Sequence, residues 1–175
     1  MNAIGWKTYF KNKIKHIRNK TGILTDPDSD NIELDRFLFT REEKNSAVVK
    51  RHWQRTEKYL AMIKKTCDDH GIRMLLVAYP YGHEVGTNQW AKGRQYWAFD
   101  SSRVYKADRA FALIQSFVDE NHIPFVSLLK PMLESAQSKL YYHNDGHWTA
   151  RGHRVAAEAI FRSEAFQKMT GVKTS

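Results

Sequence analysis

A mostly apolar run of eight residues constrains the fold of this chain more than any other feature. Residues 72–79 read Ile-Arg-Met-Leu-Leu-Val-Ala-Tyr, between Gly71 and Pro80. A run of this length after a helical pattern and a glycine predicts a strand buried on both faces, as in a parallel sheet. A shorter apolar run over residues 123–128 predicts a second strand.

Helical patterns alternate with these two strands. Apolar residues recur at helical spacing over residues 44–70 and 107–120, and shorter helical patterns cover 130–138 and 148–166. Alternation of helix and strand predicts an α/β fold built on a parallel sheet. Because two strands leave both edges of a sheet unpaired, either further strands lie in poorly patterned segments or, as we expect, the sheet is incomplete on its N-terminal side.

The positive charge of the chain is concentrated near its N-terminus. The chain has 28 basic and 19 acidic residues, a formal net charge of +9, but the first twenty residues hold six of the basic side chains and no acidic one. Trp6, Phe10, Ile14 and Ile17 fall on one face of a predicted helix over residues 3–20. We expect a surface helix here. Nucleic acid is not the expected partner, and an anionic membrane surface is an alternative one.

Cysteine content and hydropathy exclude several classes of protein. The single cysteine, Cys67, excludes an internal disulfide and a multi-cysteine zinc motif. No window holds the roughly 20 apolar residues of a membrane span, and the N-terminus lacks the apolar stretch of a signal peptide. These features leave the compartment unassigned.

The segment richest in chemistry lies between the last predicted strand and the last predicted helix. Residues 141–149 read Tyr-Tyr-His-Asn-Asp-Gly-His-Trp-Thr. Asp145 and His147 are two residues apart, so a tight turn at Gly146 would let the carboxylate accept a hydrogen bond from the imidazole. The other ring nitrogen would then serve as a general base. The alternative is a structural turn followed by a helix cap.

A metal site is a further interpretation of the same segment. His143, Asp145, His147 and His153 supply nitrogen and oxygen donors that suit Zn²⁺ or Fe²⁺. However, His143 and His147 flank a glycine turn and not a helix, so their spacing does not direct both rings at one ion. We therefore expect no metal at this segment.

Residues 145–153, Asp-Gly-His-Trp-Thr-Ala-Arg-Gly-His, resemble the closing block of the SGNH hydrolases, also called GDSL-type lipases or esterases. The resemblance extends upstream over the helix-strand units 44–80 and 107–147. It implies a three-layer α/β/α fold of flavodoxin-like type, with residues 1–175 as a single region whose core spans 44–166. It also implies a catalytic serine, with His147 as its base and Asp145 as the orienting acid, and no cofactor.

The spacing of the acid and the histidine departs from the more common pattern of that family. Acid-x-x-His would put Asn144 in the acid's place, whereas Asp145-x-His147 followed by Trp-Thr is closer to the alginate O-acetyltransferase branch. Hydrolysis and acyl transfer therefore both remain open. The implied substrates are O-acyl or O-acetyl esters, including those of carbohydrates.

The nucleophile is not identifiable in this chain. No glycine is followed by Asp-Ser, the family's nucleophile block, and Ser101 and Ser102 lack both the glycine and a preceding strand. Gly86-Thr87-Asn88-Gln89 resembles the family's oxyanion block only superficially. We expect the chain to be the carboxyl-terminal half of a larger domain and to be nearly inert alone. An inactive relative that helps to assemble a complex is an alternative, as is a non-catalytic binding module.

Aromatic residues near the predicted site are candidates for contact with substrate. Trp90, Tyr96 and Trp97 lie in a long predicted loop over residues 81–104, and Trp148 follows His147 directly. We expect these rings to line a carbohydrate or acyl pocket. The alternative is that they belong to an ordinary hydrophobic core.

Overall fold

A two-stranded parallel sheet lies at the centre of the described structure. In the computed structural model, which describes residues 46–97 and 99–172, β1 (Leu76–Ala78) pairs in parallel with β2 (Phe125–Ser127). The predicted pair of parallel strands is confirmed. Each strand has three residues and is therefore shorter than the apolar run that predicted it.

Seven helices lie within the described ranges. They are α1 (Ser46–Asp69), α2 (Gly82–Val85), α3 (Ala91–Tyr96), α4 (Asp108–Glu120), α5 (Leu129–Glu134), α6 (Ala150–Arg162) and α7 (Glu164–Thr170). The long helices predicted from apolar spacing are confirmed as α1 and α4. The loop predicted over residues 81–104 instead contains α2 and α3, which are too short to show a clear period.

Side-chain caps divide the last predicted helix into α6 and α7. The Thr149 hydroxyl accepts a hydrogen bond from the Gly152 N–H at 3.2 Å, as expected for an N-cap. The Ser163 hydroxyl likewise accepts from the Phe166 N–H at 3.2 Å and begins a new helix. The single helix predicted over 148–166 is therefore corrected to two helices.

Helices cover both faces of the sheet. On one face, Val77 of β1 packs in a cluster with Val155 of α6. On the other face, Leu76 packs with Trp53 of α1 and Phe117 of α4, whose rings meet edge to face at 6.3 Å. Successive strand residues point to opposite faces, so this alternation gives the predicted α/β/α layering.

The strand β1 is less buried than the sequence predicts. Its three residues are half-buried, and the ends of the apolar run are exposed, with Ile72 at 57% and Tyr79 at 50%. The physical reason is that each strand has one partner in the described part of the chain, so its outer edge is unpaired.

The longest described helix, α1, has one apolar face and one charged face. Its 24 residues bury Trp53, while Lys64 and Lys65 pair with aspartates one turn further along the helix. None of the described helices combines the length and the apolar character needed to cross a bilayer. The predicted basic helix over residues 3–20 lies outside the described residues, which all fall within the unit Arg36–Ser175.

Candidate functional site

Two backbone contacts close a tight loop around the predicted acid and histidine. Tyr141 and Trp148 form an isolated antiparallel bridge, and the Tyr142 N–H donates to the His147 carbonyl at 3.0 Å. The segment between these ends, residues 142–147, is named the acid–histidine loop.

Within this loop, the structure brings Asp145 and His147 into direct contact. The Asp145 Oδ1 lies 3.1 Å from the His147 Nδ1 and also accepts the His147 backbone N–H at 2.9 Å. The His147 side chain is 85% exposed, and no hydrogen bond to its Nε2 occurs within the described residues. Such a contact favours a proton on Nδ1 and leaves Nε2 able to accept one.

The hydrogen bond from the His147 backbone N–H to Asp145 also fits the alternative interpretation of this segment, a structural turn followed by a helix cap. A bond from an aspartate side chain to the N–H two residues further on is an Asx turn, which stabilises a tight loop locally. Thr149 caps α6 directly afterwards. The turn, the cap and the acid–histidine pair therefore coexist in one structure.

Side-chain contacts place the acid–histidine loop at the carboxyl end of β1. The buried Tyr141 hydroxyl donates to the carbonyl of Pro80, and Trp148 packs edge to face on Tyr79 at 4.8 Å. Tyr79 and Pro80 directly follow β1. Parallel α/β sheets characteristically place their binding and catalytic groups at this edge.

A buried glutamine ties the segment before the loop to the rest of the site. The Gln89 Nε2 donates to the carbonyls of Ala136 and Ser138 at 2.9 and 2.7 Å. Its Oε1 accepts the N–H groups of Leu140 and Tyr141 at 2.9 and 3.2 Å. Sequence reasoning missed this role of Gln89, because no periodicity or spacing marks a glutamine that bonds some fifty positions away.

Backbone hydrogen bonds join the first turn of α3 to the acid–histidine loop. The His143 carbonyl accepts the N–H groups of Lys92 and Gly93 at 2.9 and 3.2 Å. Trp90, which directly precedes α3, is 8% exposed and lies under Gly146, where an added Cβ would be 3.9 Å from the indole. The structure thus places Trp90 in the core beneath the loop and not on an open surface.

The other predicted aromatic residues lie at two separate places. Tyr96 and Trp97 are about half exposed and meet edge to face at 5.7 Å at the end of α3. Trp148 is half-buried between Tyr79 and His153, with ring distances of 4.8 and 5.3 Å. Of the four, Trp148 is adjacent to His147.

The predicted stand-ins for a nucleophile and an oxyanion donor are not joined to the histidine. The exposed Ser102 hydroxyl donates to Asp100 at 2.7 Å, and no hydrogen bond links it to His147 in the described ranges. The Gly86 N–H, the candidate oxyanion donor, bonds to the Gly82 carbonyl at 3.2 Å. Both groups are therefore engaged in local turns.

The histidines of the segment do not gather around a metal position. Over residues 46–97 and 99–172, no group of three or more His, Cys, Asp or Glu side chains is arranged to hold an ion. His143 and His153 accordingly do not complete a ligand set with the Asp145–His147 pair.

A second set of ionisable side chains, on α2 and α3, is buried. The Arg94 side chain is fully buried, and its guanidinium donates to the carbonyls of Gly86, His83 and Arg103 at 2.9, 3.2 and 2.6 Å. The His83 ring stacks on Phe99 at 3.9 Å. Burial, with a smaller contribution from the Arg94 charge, lowers the pKa of His83 to about 4. His83 is thus neutral at physiological pH.

The neighbouring Glu84 anchors the chain after β1. Its Oε2 accepts the Tyr81 N–H at 2.7 Å. Burial raises the pKa of Glu84, and the hydrogen bond from Tyr81 opposes this rise. Glu84 therefore fixes the start of α2, the helix that follows β1 in the chain.

Comparison with known proteins assigns the family. No curated protein and no solved structure matches the chain. Residues 34–171 match the family model described as the SGNH hydrolase-like domain of the acetyltransferase AlgX. The match spans both strands and the acid–histidine loop, and it confirms the resemblance drawn from residues 145–153. The chain therefore belongs to the SGNH hydrolase-like domain family of the acetyltransferase AlgX.

Proposed function

We propose that Asp145 and His147 form the acid–base pair of a site that acts on O-acyl esters, with O-acetyl groups of a carbohydrate as the substrate class. The observation that carries this proposal is the 3.1 Å contact between Asp145 Oδ1 and His147 Nδ1, with the histidine 85% exposed. The family match supports the acyl chemistry, since the family model is named for an acetyltransferase.

The geometry suits general-base catalysis through Nε2. A serine hydroxyl placed against Nε2 would transfer its proton to the ring as its oxygen attacks the acyl carbon, and Asp145 would stabilise the resulting imidazolium. The proton would then pass to the departing alkoxide. Attack by water on the acyl-enzyme completes hydrolysis, whereas attack by a sugar hydroxyl completes transfer.

The serine is the part of the site that this sequence does not identify. No Gly-Asp-Ser block occurs in the 175 residues, and the described serines make no hydrogen bond to His147. The proposal therefore assigns the roles of base and orienting acid to this chain and leaves the nucleophile unassigned.

Acetyl-ester turnover tests the proposed base. In the protein as its gene encodes it, we expect His147→Ala to lower kcat/KM for 4-nitrophenyl acetate by roughly 10³-fold or more, because removal of a triad member costs several powers of ten. The matched control is His143→Ala, an exposed histidine in the same loop, which should change turnover less than twofold. Adding an oligosaccharide acceptor distinguishes transfer from hydrolysis, because only transfer increases the mass of the acceptor in mass spectrometry.

Two results would contradict the assignment. One is turnover that survives His147→Ala unchanged. The other is an equal loss in His143→Ala and His147→Ala, which would indicate nonspecific attack by exposed imidazoles on an activated ester.

A further inference from the structure

Three aromatic side chains form a connected, partly exposed surface beside the acid–histidine loop. Tyr79 and Tyr81 are 50% and 57% exposed, and their ring centres are 6.5 Å apart. Tyr79 also meets the half-buried Trp148 edge to face at 4.8 Å. We name these three rings, Tyr79, Tyr81 and Trp148, the aromatic platform.

Buried groups hold the backbone of the platform in place. The carbonyl of Pro80, between the two tyrosines, accepts the Tyr141 hydroxyl, and the Tyr81 N–H is bonded to Glu84. The Tyr81 ring stacks on His83 at 5.7 Å, with 15° between the planes. The backbone that carries the two tyrosine rings is therefore held by hydrogen bonds, which reduces the entropy lost on binding.

The position of the platform connects it to the acid–base pair. Trp148 directly follows His147, so their Cα atoms are about 3.8 Å apart. By contrast, Tyr96 and Trp97 make their ring contact with each other at the C-terminal end of α3. Among the four aromatic residues predicted from sequence, only Trp148 belongs to the platform, and Tyr79 and Tyr81 were not among them.

The chemistry of these side chains selects one class of occupant. Exposed tyrosine and tryptophan rings offer a flat apolar face with a polar group at the edge. A sugar ring presents a complementary surface, with C–H groups on its face and hydroxyls around its rim. A purely apolar acyl chain would leave the two exposed tyrosine hydroxyls without a matching role.

We propose that the aromatic platform binds the sugar rings of an O-acylated carbohydrate and so holds an ester at His147. This inference rests on the proposed function and deepens it, because it names the residues that contact the carbohydrate. The platform contributes binding and orientation, while Asp145 and His147 contribute the proton transfers.

Carbohydrate titration tests the platform apart from the chemistry. The probes are O-acetylated oligosaccharides of xylose, glucose and mannose, and binding is followed by calorimetry and by the Trp148 indole N–H signal in ¹H–¹⁵N spectra. We expect Tyr79→Ala to weaken binding roughly tenfold, within the range expected for loss of an aromatic contact. Tyr79→Phe, which keeps the ring, should bind nearly as the unmodified protein does. Tyr59→Ala is the matched control, because Tyr59 is a similarly exposed tyrosine on α1, and it should leave binding unchanged.

The small ester 4-nitrophenyl acetate separates failure of the platform from failure of the proposed function. It has no sugar ring, so its turnover should depend on His147 and should respond to Tyr79→Ala far less than carbohydrate binding does. If no probe binds below about 10 mM, or if Tyr79→Ala and Tyr59→Ala have equal effects, the platform assignment is wrong, while the His147 result still stands. A change in oligomeric state without a change in carbohydrate binding would instead identify the platform as a self-association surface.

Discussion

At the scale of single residues, Asp145 serves both the fold and the proposed chemistry. Its Oδ1 accepts the His147 backbone N–H at 2.9 Å and lies 3.1 Å from the His147 ring Nδ1. An Asx turn joins a side chain to the N–H two residues further on, so the acid-x-His spacing suffices without help from a distant element. The more common acid-x-x-His spacing, which would use Asn144, does not fit this local turn.

The buried His83 makes a testable contribution to stability. Its pKa falls from 6.5 to about 4 on folding, chiefly through burial. Between these values the unfolded chain binds a proton that the folded chain does not, so the free energy of unfolding falls as the pH is lowered from 6.5 towards 4. The shift corresponds to roughly 3 kcal/mol. We expect His83→Phe, which keeps an aromatic ring against Phe99, to remove this dependence in urea unfolding between pH 4 and 8.

Comparing the unmodified protein with His83→Phe separates the contribution of His83 to the free energy of unfolding from that of Glu84. Burial raises the pKa of Glu84, so its contribution changes in the opposite sense and is lost as the pH rises through the range above its ordinary value. Both proteins contain Glu84, and the difference between their unfolding free energies therefore reports His83. A difference that stays constant from pH 8 to pH 4 would show that His83 is not desolvated in the fold.

At the scale of elements, the contact between α6 and the chain before the loop depends on a glycine. A Cβ at Gly152 would lie 2.3 Å from the Leu140 carbonyl oxygen and 3.0 Å from the Trp148 Cβ. The Leu140 carbonyl also accepts the Thr149 N–H at 2.8 Å. The first turn of α6 thus packs directly against the backbone that carries the acid–histidine loop.

Substitution of this glycine should separate α6 from the loop. We expect Gly152→Ala to lower the free energy of unfolding by about 1–3 kcal/mol, the usual cost of overpacking, and to broaden the His147 signals in NMR spectra. Gly146→Ala is the matched control, since its Cβ would meet Trp90 at an ordinary 3.9 Å. Equal thermal midpoints for the two variants would contradict the close packing of α6.

The elements that sequence predicted well are those determined by local pattern. The helices α1 and α4 follow apolar residues at helical spacing, and Thr149 is a local cap. The segment containing α2 and α3 was predicted only as a loop, because contacts distant in sequence determine its conformation. Gln89 illustrates this, since all four of its long-range hydrogen bonds go to residues 136–141.

At the scale of the whole molecule, helices on both faces of a parallel sheet place the candidate site at one edge. The alternation of Leu76 and Val77 between two clusters was predictable from the apolar run of β1. The buried Arg94 was not, because an arginine bonded to three backbone carbonyls leaves no sequence signal. Family membership, by contrast, was predictable from the short block at 145–153, and the match over residues 34–171 confirms it.

The protonation of the His147 ring tests the central claim most directly, because it needs neither a nucleophile nor a substrate. Long-range ¹H–¹⁵N spectra of the neutral imidazole distinguish a proton on Nδ1 from one on Nε2. We predict the Nδ1–H form in the unmodified chain and in Asn144→Ala, and a shift towards the Nε2–H form in Asp145→Ala. A neutral His147 that carries its proton on Nε2 in the unmodified chain would contradict the proposed role of Asp145.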